Sequence, residues 1–419
     1  MEKIGHLKAS IIKDQEMYFL IMALFGYILA YIDPYYSKGF PHYINFFIRG
    51  GIFLLSIYFI VKNFHIVQKR KTVIIVFALF FSFYLFKLYK TIPSFTVPPD
   101  VFTGLKNSIY YYGFMVIPLP VIAILSLNYQ EIDFKKFFRI IFFGLLIIFG
   151  INFLYTNFVF ESYRSNGRSG IFRSYYILVG HYGLSLVIMS LYGYLFLKAK
   201  GYFYALGILL GSFAIFVSAA RSPVLALFVI LFVFLIAINN RKYWLCFLGA
   251  VVLAFVGLFV IYRTGIGENS IFFERLNGAI FERNASGRSS FFSRGIEIFL
   301  NHPLFGGNAL FEDGMYSHNI FVDILMSTGV FGMALFIIYF KFVVQSFIKI
   351  LKHIYKYKES GVVIFFFLQY FILAQTSGNL YLSFEFWYFG AAVIGLGYIN
   401  FTNEEIKSND SRGNTAGDY

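Results

Sequence analysis

Apolar runs long enough to cross a bilayer recur about twelve times along this chain, and no other feature restricts its fold as strongly. A segment in hydrocarbon must satisfy its own backbone hydrogen bonds, and a run of about 20 residues does so as an α-helix. The runs fall near residues 17–32, 44–61, 72–89, 109–127, 138–159, 174–197, 202–219, 223–238, 243–261, 319–340, 361–378 and 381–400. Composition agrees: 59% of residues are hydrophobic, 13% are charged and the mean hydropathy is +0.70, which excludes an ordinary soluble domain. The predicted fold is therefore all-α, a polytopic membrane helical bundle of about 12 transmembrane helices forming one integral membrane domain over 1–419.

Lysine orients the spans. Lys3, Lys8, Lys13, Lys62, Lys69, Lys71, Lys135, Lys136, Lys198, Lys200, Lys242 and the run from Lys341 to Lys358 all fall on one side, which the positive-inside rule makes cytoplasmic. Both termini are then cytoplasmic, with 401–419 a disordered tail and 262–318 the one large external loop. The segment Met1 to Glu16 is polar and leads straight into an apolar run, so the first span is expected to be a retained helix rather than a cleaved signal. The net charge of +14 is ascribed to topology and to contact with anionic membrane lipid, and no nucleic acid is expected as a partner. A single cysteine, Cys246, leaves no intramolecular disulfide and no thiolate metal site.

Arginine behaves differently from lysine. Ten of the fourteen arginines, counting Arg49 near the start of the second span, lie on the side assigned as external. Guanidinium keeps its charge and offers a planar fork to phosphate oxygens, so an arginine-rich external face points to a phosphate-bearing ligand. Four segments carry the unusual residues. Glu161 to Arg173 holds Arg164, Arg168 and Arg173 among small residues, and it reads either as a substrate-binding loop or as a solvated loop on lipid headgroups. Ser218 to Pro223 is a tight break between two spans, with Arg221 set among Ala219, Ala220 and Ser222, open to a large anion or able to snorkel.

The third segment, Tyr262 to Ser317, carries Arg263, Arg275, Arg283, Arg288 and Arg294. Within it, Phe292, Ile296, Phe299 and Leu300 recur at helical spacing before Pro303, predicting an amphipathic helix over 289–301 that starts at Arg288, where backbone N–H groups also favour an anion. The fourth segment is Tyr316-Ser317-His318-Asn319. Asn319 is placed to cap the tenth span, Asp323 follows in its first turns, and His318 is the one titratable base near the arginines. Glu312 and Asp323 are candidates to orient His318 or to share its role, and Glu385 in the last span reads equally as a functional membrane carboxylate or as the partner of an arginine of the bundle.

Ser218 to Leu225, then Gly287-Arg288, then His302-Pro303-Leu304-Phe305-Gly306-Gly307, then His318-Asn319 with Asp323 and Gly329 form an ordered set that resembles the O-antigen ligase and O-antigen polymerase superfamily. Ala219-Ala220 before Arg221 and Gly306-Gly307-Asn308 depart from the commoner pattern. The resemblance implies a GT-C-like bundle in a bacterial inner membrane, with its active site facing the periplasm. It implies a metal-independent glycosyltransferase with no cofactor, acting on undecaprenyl diphosphate-linked oligosaccharide, with a chain-length regulator as an associated protein. On that basis Arg221 and Arg288 are assigned to the diphosphate and His318 to the catalytic base, while Arg164, Arg168, Arg173, Asn319, Asp323 and Glu312 are assigned to substrate binding. Polymerase activity in surface polysaccharide and lipopolysaccharide biosynthesis is the first expectation. Ligation of glycan to lipid A core is the second. A lipid-linked sugar flippase is a distant third, because the charges crowd at one face rather than along the midplane.

Overall fold

The structure is a computed structural model, and it describes residues 14–32, 40–159, 171–172, 176–198, 201–264, 270–280 and 288–399. Its longer helices are α1 (Gln15–Phe25), α2 (Phe40–Lys62), α3 (Lys71–Thr91), α4 (Pro99–Ser108), α5 (Pro118–Ser126), α6 (Phe134–Leu154), α7 (Tyr176–Leu195) and α8 (Tyr202–Ser218). They continue as α9 (Arg221–Ile238), α10 (Arg241–Thr264), α11 (Ile271–Ile280), α12 (Arg288–Asn301), α13 (Ile320–Lys352), α14 (Val362–Thr376) and α15 (Phe384–Gly397). Among the described residues eight helical segments are long and apolar enough to cross a membrane, and α1, α8 and α15 are shorter apolar helices. The protein is a polytopic helical membrane bundle. Arg164, Arg168, Arg173, Arg283 and the 401–419 tail lie outside the described residues.

Two boundaries differ from the hydropathy reading. The fourth span starts earlier, at Pro99, and is built of α4, a π-helical stretch at Ile109–Val116 and α5. Pro118 opens α5 because it has no N–H to give to the preceding turn. The tenth span runs on to Lys352, since lysines continue a helix well and are favoured in its last turns.

The chain forms two compact units, one of 1–30, 42–141 and 288–419, the other of 31–41 and 142–287. The first is organised around the fully buried Trp387 of α15. Its ring meets Phe77, Phe80 and Phe81 of α3 at centroid distances of 5.7–5.9 Å, and Phe336 and Tyr339 of α13 at 6.1 and 5.9 Å. Edge-on and tilted aromatic pairs of this kind add about 0.5–1.5 kcal/mol each beyond the area they bury.

Within this unit α13 breaks at Gly329, whose φ is +64°. The backbone groups freed there are taken up by the loop after α12: Val330 N–H donates to the Pro303 carbonyl at 2.9 Å, Phe331 N–H to Leu304 at 3.1 Å, and Gly307 N–H to the Met326 carbonyl at 2.8 Å. A side chain at Gly329 would strike the Gly306 nitrogen at 2.6 Å, and one at Gly306 would strike the Ser327 and Thr328 backbone at 2.3–2.4 Å. The Pro-Leu-Phe-Gly-Gly run is thus a backbone patch laid over a broken helix.

The second unit packs differently. Gly183 and Gly211 bring α7 and α8 so close that a Cβ on Gly183 would lie 2.7 Å from Ala214 Cβ, and one on Gly211 would lie 2.6 Å from the Gly183 carbonyl oxygen. Small residues let membrane helices approach backbone to backbone and gain dispersion contacts that lipid does not offer.

Candidate functional site

The first unit has two polar ends. At one, Lys136 pairs with Asp14 at 2.6 Å, Glu16 accepts from Asn63 Nδ2 and from the Asn128 N–H, Arg70 donates to the Leu125 and Leu127 carbonyls, and Lys349 donates to the carbonyls of Gly397 and Ile399. At the other, α12 lies against the start of α13. A methyl placed on Gly295 would meet Val322 Cγ1 at 2.7 Å, and that close approach carries Phe291 onto His318. The loop from 306 to 312 is held to the end of α3 by Lys87 Nζ on the Gly306 carbonyl (2.8 Å), Ala309 N–H on Thr91 Oγ1 (2.8 Å) and Thr96 N–H on the Glu312 carbonyl (2.9 Å).

His318 sits in this second end. Its φ of +60° is a conformation that few side chains adopt and that histidine tolerates better than most. Ser317 explains how it is held. The Ser317 N–H and hydroxyl both reach Asp323 Oδ1, at 3.2 and 2.5 Å, and the Asn319 N–H donates to Ser317 Oγ at 3.2 Å. Asp323 also takes a backbone hydrogen bond from Leu380. This carboxylate, 1% exposed, therefore fixes the residues on either side of the site from beneath. The imidazole is packed against Phe291 at 5.3 Å and Tyr316 at 4.4 Å between ring centroids.

Burial pushes the His318 imidazole below its ordinary range, and the positive charge of Arg288 pushes it further, while a backbone hydrogen bond to Ser377 works the other way. Burial also raises the neighbouring Tyr316 hydroxyl. A half-buried imidazole held neutral is a proton acceptor at cellular pH. Its Nδ1 has no protein partner among the described residues. Arg288, one turn before Phe291, is exposed at the first position of α12, where the helix dipole adds to its positive charge.

The other expected residues are placed as follows. Asn319 is the N-cap of α13: its Oδ1 accepts from the Phe321 and Val322 N–H groups, and its Nδ2 donates to the Gln375 carbonyl at 3.2 Å. Its carboxamide is thus engaged by protein at both ends. The Glu312 side chain is exposed and is not among the groups that act on His318. Arg221, in the other unit, is the first residue of α9. It follows Ala219 at φ +48° and Ala220, with Ser218 Oγ accepting from the Ala220 N–H and Arg275 reaching the Ala219 carbonyl at 3.4 Å.

Several arginines counted toward a phosphate-facing surface have other work. Arg49 is not on a surface at all: it is 1% exposed, with its guanidinium 4.2 Å from the Tyr112 ring centroid and 5.0 Å from that of Tyr27, and it interacts electrostatically with Glu385. Of the two readings of Glu385, the one with an arginine of the bundle beside it has this electrostatic contact behind it. Cation–π packing and a buried countercharge account for Arg49 without a ligand. Arg294 pairs with Asp313 at 2.9 Å and lies over Phe311.

The sequence reading passed over the end of α14 and the turn that follows it, Gln375-Thr376-Ser377-Gly378-Asn379, which together with Leu380 meets the His318 segment through Gln375, Ser377 and Leu380. An uncharged polar pentapeptide between two apolar runs was the available signal.

Residues 206–337 match the O-antigen ligase family. The match takes in Arg221, Arg288, Glu312, His318, Asn319 and Asp323, and with them Gly329 of the broken helix and Gly306 of the loop laid over it. It supports the superfamily to which the ordered motifs point. No curated protein matches the chain.

Proposed function

We propose that the protein is a membrane glycosyltransferase that joins lipid diphosphate-linked oligosaccharide repeats into a surface polysaccharide. The observation that carries this reading is the pairing of His318, held neutral, with Arg288 at a helix N-terminus beside it. An acceptor hydroxyl gives its proton to His318 as its oxygen bonds to the anomeric carbon. The bond from that carbon to the phosphate oxygen breaks, and the lipid diphosphate leaves with the electron pair. Arg288 meets the charge that builds on the leaving group, and preorganised donors of this kind act most strongly where water is scarce. A single displacement inverts the anomeric configuration. On position in the motif order alone, Arg221 is assigned to diphosphate binding, and Arg164, Arg168 and Arg173 to substrate binding.

Ligation to lipid A core is the second reading, favoured by the description of the family that residues 206–337 match. Both readings place the site at the periplasmic face of a bacterial inner membrane, with both termini in the cytoplasm and a chain-length regulator as partner of the polymerase alone.

The test is the surface-glycan ladder of cells lacking the protein, complemented with the native chain or with His318→Ala at equal abundance. A core bearing one repeat that lengthens into a ladder only with the native chain supports the polymerase. Loss of every repeat-bearing band, with polymer retained on the lipid carrier, supports the ligase. A full ladder with His318→Ala refutes the assignment of the base.

A further inference from the structure

The last turn of α14 and the turn that follows it have unmade bonds where the rest of this end is tied down. Gln375 Nε2 and Oε1 and Asn379 Nδ2 are buried without a protein partner among the described residues, as is His318 Nδ1. Asn379 is 1% exposed, and its Oδ1 accepts from the Leu382 N–H at 2.7 Å, so the free direction of its amide is fixed. A buried amide left unpaired costs about 1–3 kcal/mol, and native structures tolerate few of them without a use. Three separate ties bring this turn to the His318 segment: Asn319 Nδ2 on the Gln375 carbonyl, the backbone bond between His318 and Ser377, and the Leu380 bond to Asp323.

The chemistry of the turn names its ligand class. Gln375 to Asn379 contains no charged residue, whereas α12, which packs on His318 through Phe291, begins with Arg288. A carboxamide offers a donor and an acceptor side by side, which match a sugar hydroxyl that both gives and takes a hydrogen bond. A phosphate accepts only, and would leave Gln375 Oε1 facing oxygen.

We propose that the Gln375-to-Asn379 turn is the acceptor-sugar subsite, in which the Gln375 carboxamide and Asn379 Nδ2 bond ring hydroxyls and so present the attacking hydroxyl to His318. This rests on the glycosyl-transfer reading above and adds to it which residues receive the acceptor. Gln375 and Asn379 are binding residues here, not bases.

The experiment uses the full-length protein in lipid vesicles, supplied with lipid diphosphate-linked oligosaccharide extracted from source cells that lack the protein. The free oligosaccharide released from that lipid, which has no diphosphate, serves as a competitor for the acceptor subsite. In Gln375→Leu and Asn379→Leu the KM for polymer formation is expected to rise about tenfold and inhibition by the free oligosaccharide to weaken about tenfold, with kcat within about twofold, the loss of one good hydrogen bond to a neutral group. Gln375→Glu, which keeps the shape and removes the donor, repeats the effect should the leucine variant unfold. Unchanged KM and unchanged inhibition in both positions overturn the subsite. A fall in kcat alone also overturns it. No polymer from the folded native protein overturns the glycosyl-transfer reading itself, a result separate from either of those.

Discussion

The two ends of the first unit are built from the same helices and treat polar groups in opposite ways. At the lysine-rich end, Glu16, Arg70 and Lys349 each reach backbone or side-chain partners far away in the chain, so charge serves as a fastening. At the His318 end Lys87 and the Arg294–Asp313 pair also fasten, but the residues around the imidazole are held by neutral or fully buried groups, Thr91, Asn319 and the Ser317–Asp323 pair, while Arg288 stays exposed and the His318, Gln375 and Asn379 side chains keep bonds unmade. Capacity for a ligand is therefore recognised by what the protein leaves unsatisfied, not by how many polar residues an end contains.

The comparison is broken most directly at Arg288. With Arg288→Gln, polymer formation should fall about 100-fold, the usual loss for one donor to a developing charge. Its acid limb should move as well. As the proposed base His318 must be neutral, so activity is expected to rise as pH climbs through its lowered pKa. Removing the Arg288 charge raises that pKa, and the limb shifts toward neutrality. A rate–pH profile with an unmoved limb separates Arg288 from His318.

Gly329→Ala should cost about 2–4 kcal/mol, from left-handed backbone strain together with overlap on the Gly306 nitrogen. Thermal unfolding in detergent reads this loss, and an unchanged midpoint would mean that the loop patch yields easily. At the fastened end, Arg70→Met strips a donor from two carbonyls and should destabilise by about 1–3 kcal/mol, with the pH profile left in place. A shifted profile there would abolish the functional distinction between the ends. Smallest of all, Arg294→Ala removes an exposed pair with Asp313 and should change stability by less than about 1 kcal/mol, since water and salt screen it.

How legible these features were depends on the range of the physics behind each. Asn319 as the cap of α13 and Arg288 as the start of α12 were readable because capping and amphipathic periodicity act within one or two turns. Arg49 was misjudged as a surface arginine because its aromatic surroundings come from three other places, Tyr27, Tyr111–Tyr112 and Phe384. Gly329 was noticed as part of a motif, but its reason, the backbone of Gly306 and Leu304 pressed against it, is invisible in either segment alone. The turn at Gln375 escaped attention because uncharged carboxamides look like any loop until their partners can be counted.

By itself the sequence determined that this chain is a helical membrane bundle, where its apolar helices run and in what order its arginine and histidine motifs come. Those follow from the cost of unpaired backbone in lipid and from the period of a helix, both of which are local. Only the tertiary structure decided that His318 is packed against Phe291 and Tyr316 under the charge of Arg288, that Asp323 acts through Ser317, and that Gln375 and Ser377, distant in the chain, hydrogen-bond to the His318 segment. Burial, field and hydrogen-bond satisfaction depend on which distant segments meet, and side-chain packing of α3, α12, α13 and α15 settles that.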